Sequence, residues 1–163
     1  MSNAPPDFFR RRHCPLPAGL PATSILPLWR RIHQEFMFRA QLYRLPANVC
    51  MVLFHLHLHP EDSEPAAVAA ANYFPRQTVT FILDALEKKG LAIRKPHPND
   101  RRRKLVQLTP KGKQLAERMF TELVRFESAA LAKIEDVDIH RLQSFLTRYA
   151  DALAAQNDRD LKT

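Results

Sequence analysis

Arg76-Gln77-Thr78-Val79-Thr80-Phe81-Ile82-Leu83-Asp84-Ala85-Leu86-Glu87-Lys88-Lys89-Gly90 is the stretch on which the reading of this chain turns. Val79, Ile82, Leu83 and Leu86 recur at i, i+3, i+4 and i+7, which is one apolar stripe at helical period. Pro75 suits a helix start. Lys88 and Lys89 complement the negative end of the helix dipole, and Gly90 can adopt the left-handed conformation that stops a helix. Two strand-like runs follow, at 91–95 and 104–108, and the segment 96–103 between them is too polar and proline-rich to be core. A helix with an exposed polar face is thus followed by a hairpin tipped with Arg101, Arg102 and Arg103. That is the outline of a winged helix-turn-helix.

Charge concentrates on the same region. The chain has 163 residues and a net charge of +8. Residues 75–113 hold eleven basic and three acidic side chains, so their excess equals that of the whole chain. A field focused in this way suits a polyanion, with nucleic acid ahead of a membrane surface. No apolar run approaches the roughly 20 residues of a membrane span. Cys14 and Cys50 form neither a CxxC pair nor a metal-ligand spacing, so a cytoplasmic, reducing compartment is expected. The glycines sit singly, which leaves no phosphate loop. No Ser/His/Asp or Cys/His grouping or carboxylate pair stands out. Neither an enzyme nor a cofactor is expected.

Outward from this centre, the segment 1–22 holds five prolines, Phe8-Phe9 and Arg10-Arg11-Arg12, and reads as a flexible extension or an arm that packs on a partner or touches phosphates. A helix is expected over 24–44, with Ser24 as its cap. Ile25, Leu28, Ile32, Phe36, Ala40 and Tyr43 mark one face, and Trp29, Met37, Phe38 and Leu42 widen it. A helix apolar on most sides must be covered on most sides, and a second subunit is the natural cover. A second helix is expected near 46–58, then a turn at 61–63, a short alanine-rich helix at 66–72, and the turn Tyr73-Phe74-Pro75. Short helix, tight turn and second helix make the unit whose second helix enters the major groove. After the hairpin, Thr109-Pro110 opens a helix to about 134. Asp136 or Asp138 opens a last one to about 155, with Ile139, Leu142, Leu146, Tyr149 and Leu153 inward.

The run from Leu83 to Arg94, containing Leu86-Glu87-Lys88-Lys89-Gly90-Leu91, and the run from His97 to Gly112, containing Asp100-Arg101-Arg102 and Leu108-Thr109-Pro110-Lys111-Gly112, together resemble the MarR family of bacterial transcription regulators. The order of elements from 24 to 156 also fits, so the resemblance covers about 80% of the chain. It implies a mainly α fold with a small β-hairpin wing: a winged helix-turn-helix at 46–109 and a helical dimerisation region at 23–45 and 110–156, with 157–163 as a tail. It implies a homodimer on double-stranded DNA with a pseudo-palindromic operator, most often a repressor whose two reading helices change spacing when a ligand or oxidant acts. Asp100 and Arg102 sit where the family has its wing aspartate and minor-groove arginine. Departures are the proline-rich extension, Cys50 where a large aromatic is common, and Cys14 in the extension rather than in the first helix, which speaks against a redox sensor.

On the central helix, Gln77, Phe81, Asp84 and Lys88 lie opposite the core stripe, with Thr78 and Thr80 flanking and Arg76 leading. Gln77 can bond adenine, Arg76 guanine or phosphate, and the threonines either. Phe81 can meet a thymine methyl or fold back on a neighbouring helix. Asp84 and Lys88 are also spaced as a surface ion pair. At the wing, Arg102 is the choice for the minor groove, Arg101 or Arg103 for phosphate with Lys104 beside them, and Asp100 for pairing with an arginine. Trp29, His33, Phe36, Phe54 and His57 are candidate walls for a small aromatic or carboxylate effector, and equally plain core or dimer contacts. His55 and His59, at i and i+4, keep a zinc-responsive regulator open; otherwise they are helix-end histidines. A winged helix used for protein contact is the other alternative.

Overall fold

The computed structural model describes residues 24–160. The calls on the N-terminal extension, Cys14 included, lie outside them, as does the side chain of Arg101. The elements are α1 (Leu26–Gln41), α2 (Ala47–Leu58), α3 (Pro65–Ala71), α4 (Arg76–Lys88), β1 (Ala92–His97), β2 (Asp100–Leu108), α5 (Pro110–Leu131) and α6 (Ile139–Asp160). The chain divides into two compact units, one running to Leu123 and one from Val124 onward. It is mainly helical with one antiparallel hairpin, the winged helix-turn-helix expected from the sequence.

The first unit closes around a core of fully buried side chains, Leu53, Val52, Val68, Leu83, Leu86 and Met119 among them. The stripe Val79, Ile82, Leu83 and Leu86 is buried along its whole length, as its period requires. Both helices that flank the helix-turn-helix turn end in the same way. At the end of α4 the Gly90 N–H donates to the Glu87 carbonyl (2.8 Å) and the Leu91 N–H to the Leu86 carbonyl (2.9 Å), with Gly90 at φ +65°. At the end of α3 the Tyr73 N–H donates to Ala70 (3.2 Å) and the Phe74 N–H to Ala69 (3.0 Å), with Tyr73 at φ +53°. These are two Schellman motifs, one built on glycine and one on a tyrosine that must bear the left-handed strain.

Several boundaries differ from the sequence reading, among them the end of α6, which runs to Asp160 and into the segment read as a tail. Helix α1 starts at Leu26, not at a Ser24 cap; its N-cap is Ile25 with no side-chain hydrogen bond, and a proline in the first turn sets the start. Strand β2 begins at Asp100, so the arginines lie within a strand rather than a loop. Pro96 still pairs, with Lys104, because an edge position needs no donor, and a register shift between Pro96 and His97 takes up the extra residues. Helix α5 opens as expected: the Thr109 hydroxyl accepts from the Gly112 N–H (3.0 Å) and donates to the Gly90 carbonyl (2.7 Å). A Cβ on Gly112 would stand 1.9 Å from the Leu91 carbonyl oxygen, so this close approach admits only glycine.

The second unit is different. Asp138 caps α6 through the Arg141 N–H (3.1 Å), but α6 buries no residue. Leu142, Leu146 and Leu153, expected to point inward, are 41–48% exposed, and Phe145 is 54% exposed. On α1, Leu26, Leu28, Trp29 and Ile32 are exposed too. Among the described residues nothing buries these two faces, so the inward positions expected of α6 are not buried.

Candidate nucleic-acid interface

The first turns of α4 present Arg76, Gln77, Thr80 and Phe81 to solvent, with Thr78 half-buried and Lys88 exposed at the far end. Phe81 is 64% exposed, so it does not fold back on a neighbouring helix. Thr80 donates its hydroxyl to the Arg76 carbonyl (3.0 Å), which turns it toward its own backbone. Asp84 does not pair with Lys88. It takes the guanidinium of Arg94 on β1 (2.6 Å), which also bonds Glu87 (2.7 Å) and the Thr80 carbonyl (3.2 Å). Glu87 accepts the Arg94 backbone N–H as well (2.8 Å). Arg94 therefore joins the base of the wing to the reading helix.

At the tip, no arginine among the described side chains pairs with Asp100. Its carboxylate accepts the backbone N–H of Arg102 (2.9 Å), a turn-like bond two residues ahead that fixes where Arg102 emerges. Arg102 is exposed, as is Lys104, and among the described residues no ion pair holds the Arg102 guanidinium. Arg103 is not available as expected. Its guanidinium is bound to both carboxylate oxygens of Glu64, the N-cap residue of α3, with Nε 3.0 Å from Oε2. The Val106 N–H donates to the Ser63 carbonyl (2.9 Å), so β2 is docked on the turn before α3. Among the described residues, the surface that results is an exposed polar helix face beside the wing's Arg102.

Residues 45–103 match the model of the MarR family. The match spans about a third of the chain. A protein of Thauera aromatica named for transcriptional regulation of the hcr operon is 33% identical over 87 residues, which cover 53% of this chain and 43% of that one. Among solved structures, the Staphylococcus aureus MepR–DNA complex is similar with a TM-score of 0.66 and 24% identity, over 77% of this chain and 95% of that chain. MepR, described as a transcription regulator of the S. aureus multidrug efflux pump MepA, is similar with a TM-score of 0.63 and 23% identity, over 77% and 96%. These likenesses establish the fold.

Beside the core of the first unit, Phe36, Met37, Ala40, Tyr43, Cys50 and Phe54 line an almost wholly apolar cavity of about 180 Å³, closed further by Met119 and Leu123. Of the candidate effector walls, only Phe36 and Phe54 meet there. Trp29 and His33 stack on each other along α1 (centroids 5.2 Å apart), and His57 lies beside a separate cleft with Val106, Lys113 and Glu117. The Tyr43 hydroxyl donates to Glu122 at the cavity's edge. Burial first, then that hydrogen bond and the charge of Glu122, push Tyr43 up to about 12, against the opposing pull of Arg39 and Arg118. Burial pushes the Cys50 thiol up to about 11, so it stays protonated and unreactive near neutrality. The His55 and His59 rings lie 5.5 Å apart; His55 Nε2 is 3.0 Å from the Asp62 carbonyl oxygen, and His59 faces Glu61 at 3.5 Å. Among the described residues no group of three or more His, Cys, Asp or Glu side chains converges as a metal site would.

Sequence reading missed Arg94, Glu64 and Tyr73. Arg94 and Glu64 act through partners distant in sequence, for which no local pattern exists. Tyr73 was placed in the turn, but its 95% exposure and positive φ are backbone facts that composition does not carry.

Proposed function

We propose that this chain is a DNA-binding transcription regulator that works in the cytoplasm as a homodimer, holding an inverted-repeat operator as a repressor until a small apolar or aromatic effector enters the cavity beside Phe36 and Phe54. One observation carries the reading. The exposed Arg76–Gln77 end of α4 and the free Arg102 of the wing lie within one segment, 75–113, whose basic excess equals that of the whole chain. Gln77 reads adenine in the major groove, Arg76 a guanine or phosphate, and Phe81 a thymine methyl. Arg102 enters the minor groove, and Lys104 and Lys88 neutralise phosphate. The bare apolar faces of α1 and α6 support the dimer, because exposed stripes of this size mark association surfaces. Two-fold symmetry places two copies of α4 about 34–36 Å apart, one helical turn of DNA. An effector between α1, α2 and α5 would act by changing that separation.

Titration of wild type, Gln77→Ala and Arg102→Ala against duplexes selected from a random pool tests the reading. Gln77→Ala is expected to relax preference at one position of each half-site. Arg102→Ala is expected to weaken all duplexes and reduce the magnitude of the salt slope by about 0.9 per protomer. Equal, sequence-blind binding by all three proteins would contradict it.

A further inference from the structure

We infer that Glu64 is a positioning residue for DNA recognition: it ties Arg103 into a strut between the wing and α3, and so aims Arg102. The inference rests on the proposed DNA-binding function. Arg103 lies one residue from Arg102 on β2, and Glu64 stands 39 residues earlier, at the N-cap of α3. The pair is bidentate, with both carboxylate oxygens used, a geometry more specific than a single contact. Glu64 is the more buried partner, its side chain 25% exposed against 54% for Arg103, so the carboxylate is the fixed end and the arginine the held one. The neighbouring backbone is tied at the same place, where Val106 N–H meets the Ser63 carbonyl. A second strut at the wing's base joins Arg94 to Asp84 and Glu87. A two-stranded ribbon attached only at its base can swing; these two anchors on different helices fix its direction. With Asp100 holding the Arg102 backbone, the free guanidinium then leaves the wing at one place and in one orientation.

The strut makes a prediction opposite in sign to simple electrostatics. Removing an acidic side chain from a DNA-binding surface normally strengthens binding to every duplex. Glu64→Gln, which keeps the size and loses the charge, is instead expected to weaken binding to the selected duplex about three- to tenfold. Binding to random duplex and the salt slope should stay the same, because Arg103 gains no phosphate. Arg103→Ala should give the same loss, and the double variant no more than either single one. Amide exchange in the DNA-free proteins reads the strut independently of DNA: Glu64→Gln should speed exchange at the Val106 N–H and along β2 while leaving α4 protected. Tighter binding of Glu64→Gln to all duplexes, with a salt slope steeper by about 0.9 per protomer, would overturn the inference and make Glu64 a brake on a phosphate contact. Unchanged affinity with unchanged wing exchange would also overturn it. If the wild type shows no preference for any duplex, the DNA-binding proposal fails, while the exchange measurement still decides whether Glu64 fixes the wing.

Discussion

The winged unit and helix α6 are built from similar amounts of apolar sequence and end in opposite states. Between α2 and the start of α5 nearly every stripe finds its partner within the chain, and Val52, Leu53, Val68, Val79, Leu83, Leu86 and Ala116 are completely covered. Helix α6 has an equally regular stripe over 22 residues and buries none of it. Helical period shows that a face is apolar, but not who covers it. Among the described residues the winged unit buries its own stripes, whereas the stripe of α6 and, separately, the outer face of α1 stay exposed. That difference is what the homodimer proposed above would account for.

The largest expected effect tests the complete half. Leu83→Ala should destabilise the winged unit by about 2–5 kcal/mol, seen as a large fall in thermal midpoint, because Leu83 is fully buried and its cavity cannot collapse. Leu146→Ala, the same chemistry on α6, should change the midpoint little at low protein concentration, since Leu146 is 47% exposed in the single chain. Equal losses at low concentration would erase the distinction between the two regions.

A smaller effect separates the two Schellman motifs. Tyr73→Gly should stabilise the protein by up to about 1 kcal/mol, because glycine adopts φ +53° without the strain a side chain brings there. Gly90→Ala should destabilise by about 1 kcal/mol through backbone strain alone, as a Cβ there meets nothing within 4 Å. If Tyr73→Gly lowers the midpoint, the tyrosine contributes packing that its 95% exposure does not reveal.

Another effect lies at alkaline pH. Tyr43 rises from 10 in the unfolded chain to about 12 in the folded one, so folding favours the protonated phenol. Its contribution is complete below pH 10 and falls as pH rises from 10 toward 12, where the unfolded chain has lost a proton that the folded one retains. Tyr43→Phe should therefore lose less stability than wild type over that window when the two are compared by denaturant titration. Parallel curves would remove the Glu122 contact from the energetics.

How far the sequence could be read follows from the same contrast. The stripe on α4, the glycine stop at 90 and the Thr109 cap are local patterns, and they appear where the residues put them. The hairpin was legible as a hairpin, but its tip was not. Proline and three arginines read as a loop, whereas the register shift at Pro96 lets the strand continue through them. Arg103 and Glu64 could not be paired from sequence, because a contact across 39 residues has no period. Asp84 was assigned to Lys88 because i, i+4 is the only geometry a sequence displays, and Arg94, ten residues away, has the better one. Phe36 and Phe54 were chosen as cavity walls by their chemistry and do line one. Trp29, His33 and His57 were chosen by the same rule and do not line that cavity, His57 bordering a separate cleft, because residue type says nothing about which face of a helix meets a given void.

The most direct test of the central claim measures stoichiometry and affinity on a selected inverted-repeat duplex by sedimentation, for wild type and for Leu146→Asp. The account predicts two wild-type protomers per duplex. It predicts a variant that is monomeric, keeps a folded winged unit, and binds the inverted repeat no better than a single half-site. A wild type that binds one protomer per duplex, or a variant that holds the repeat as tightly as wild type, would contradict it.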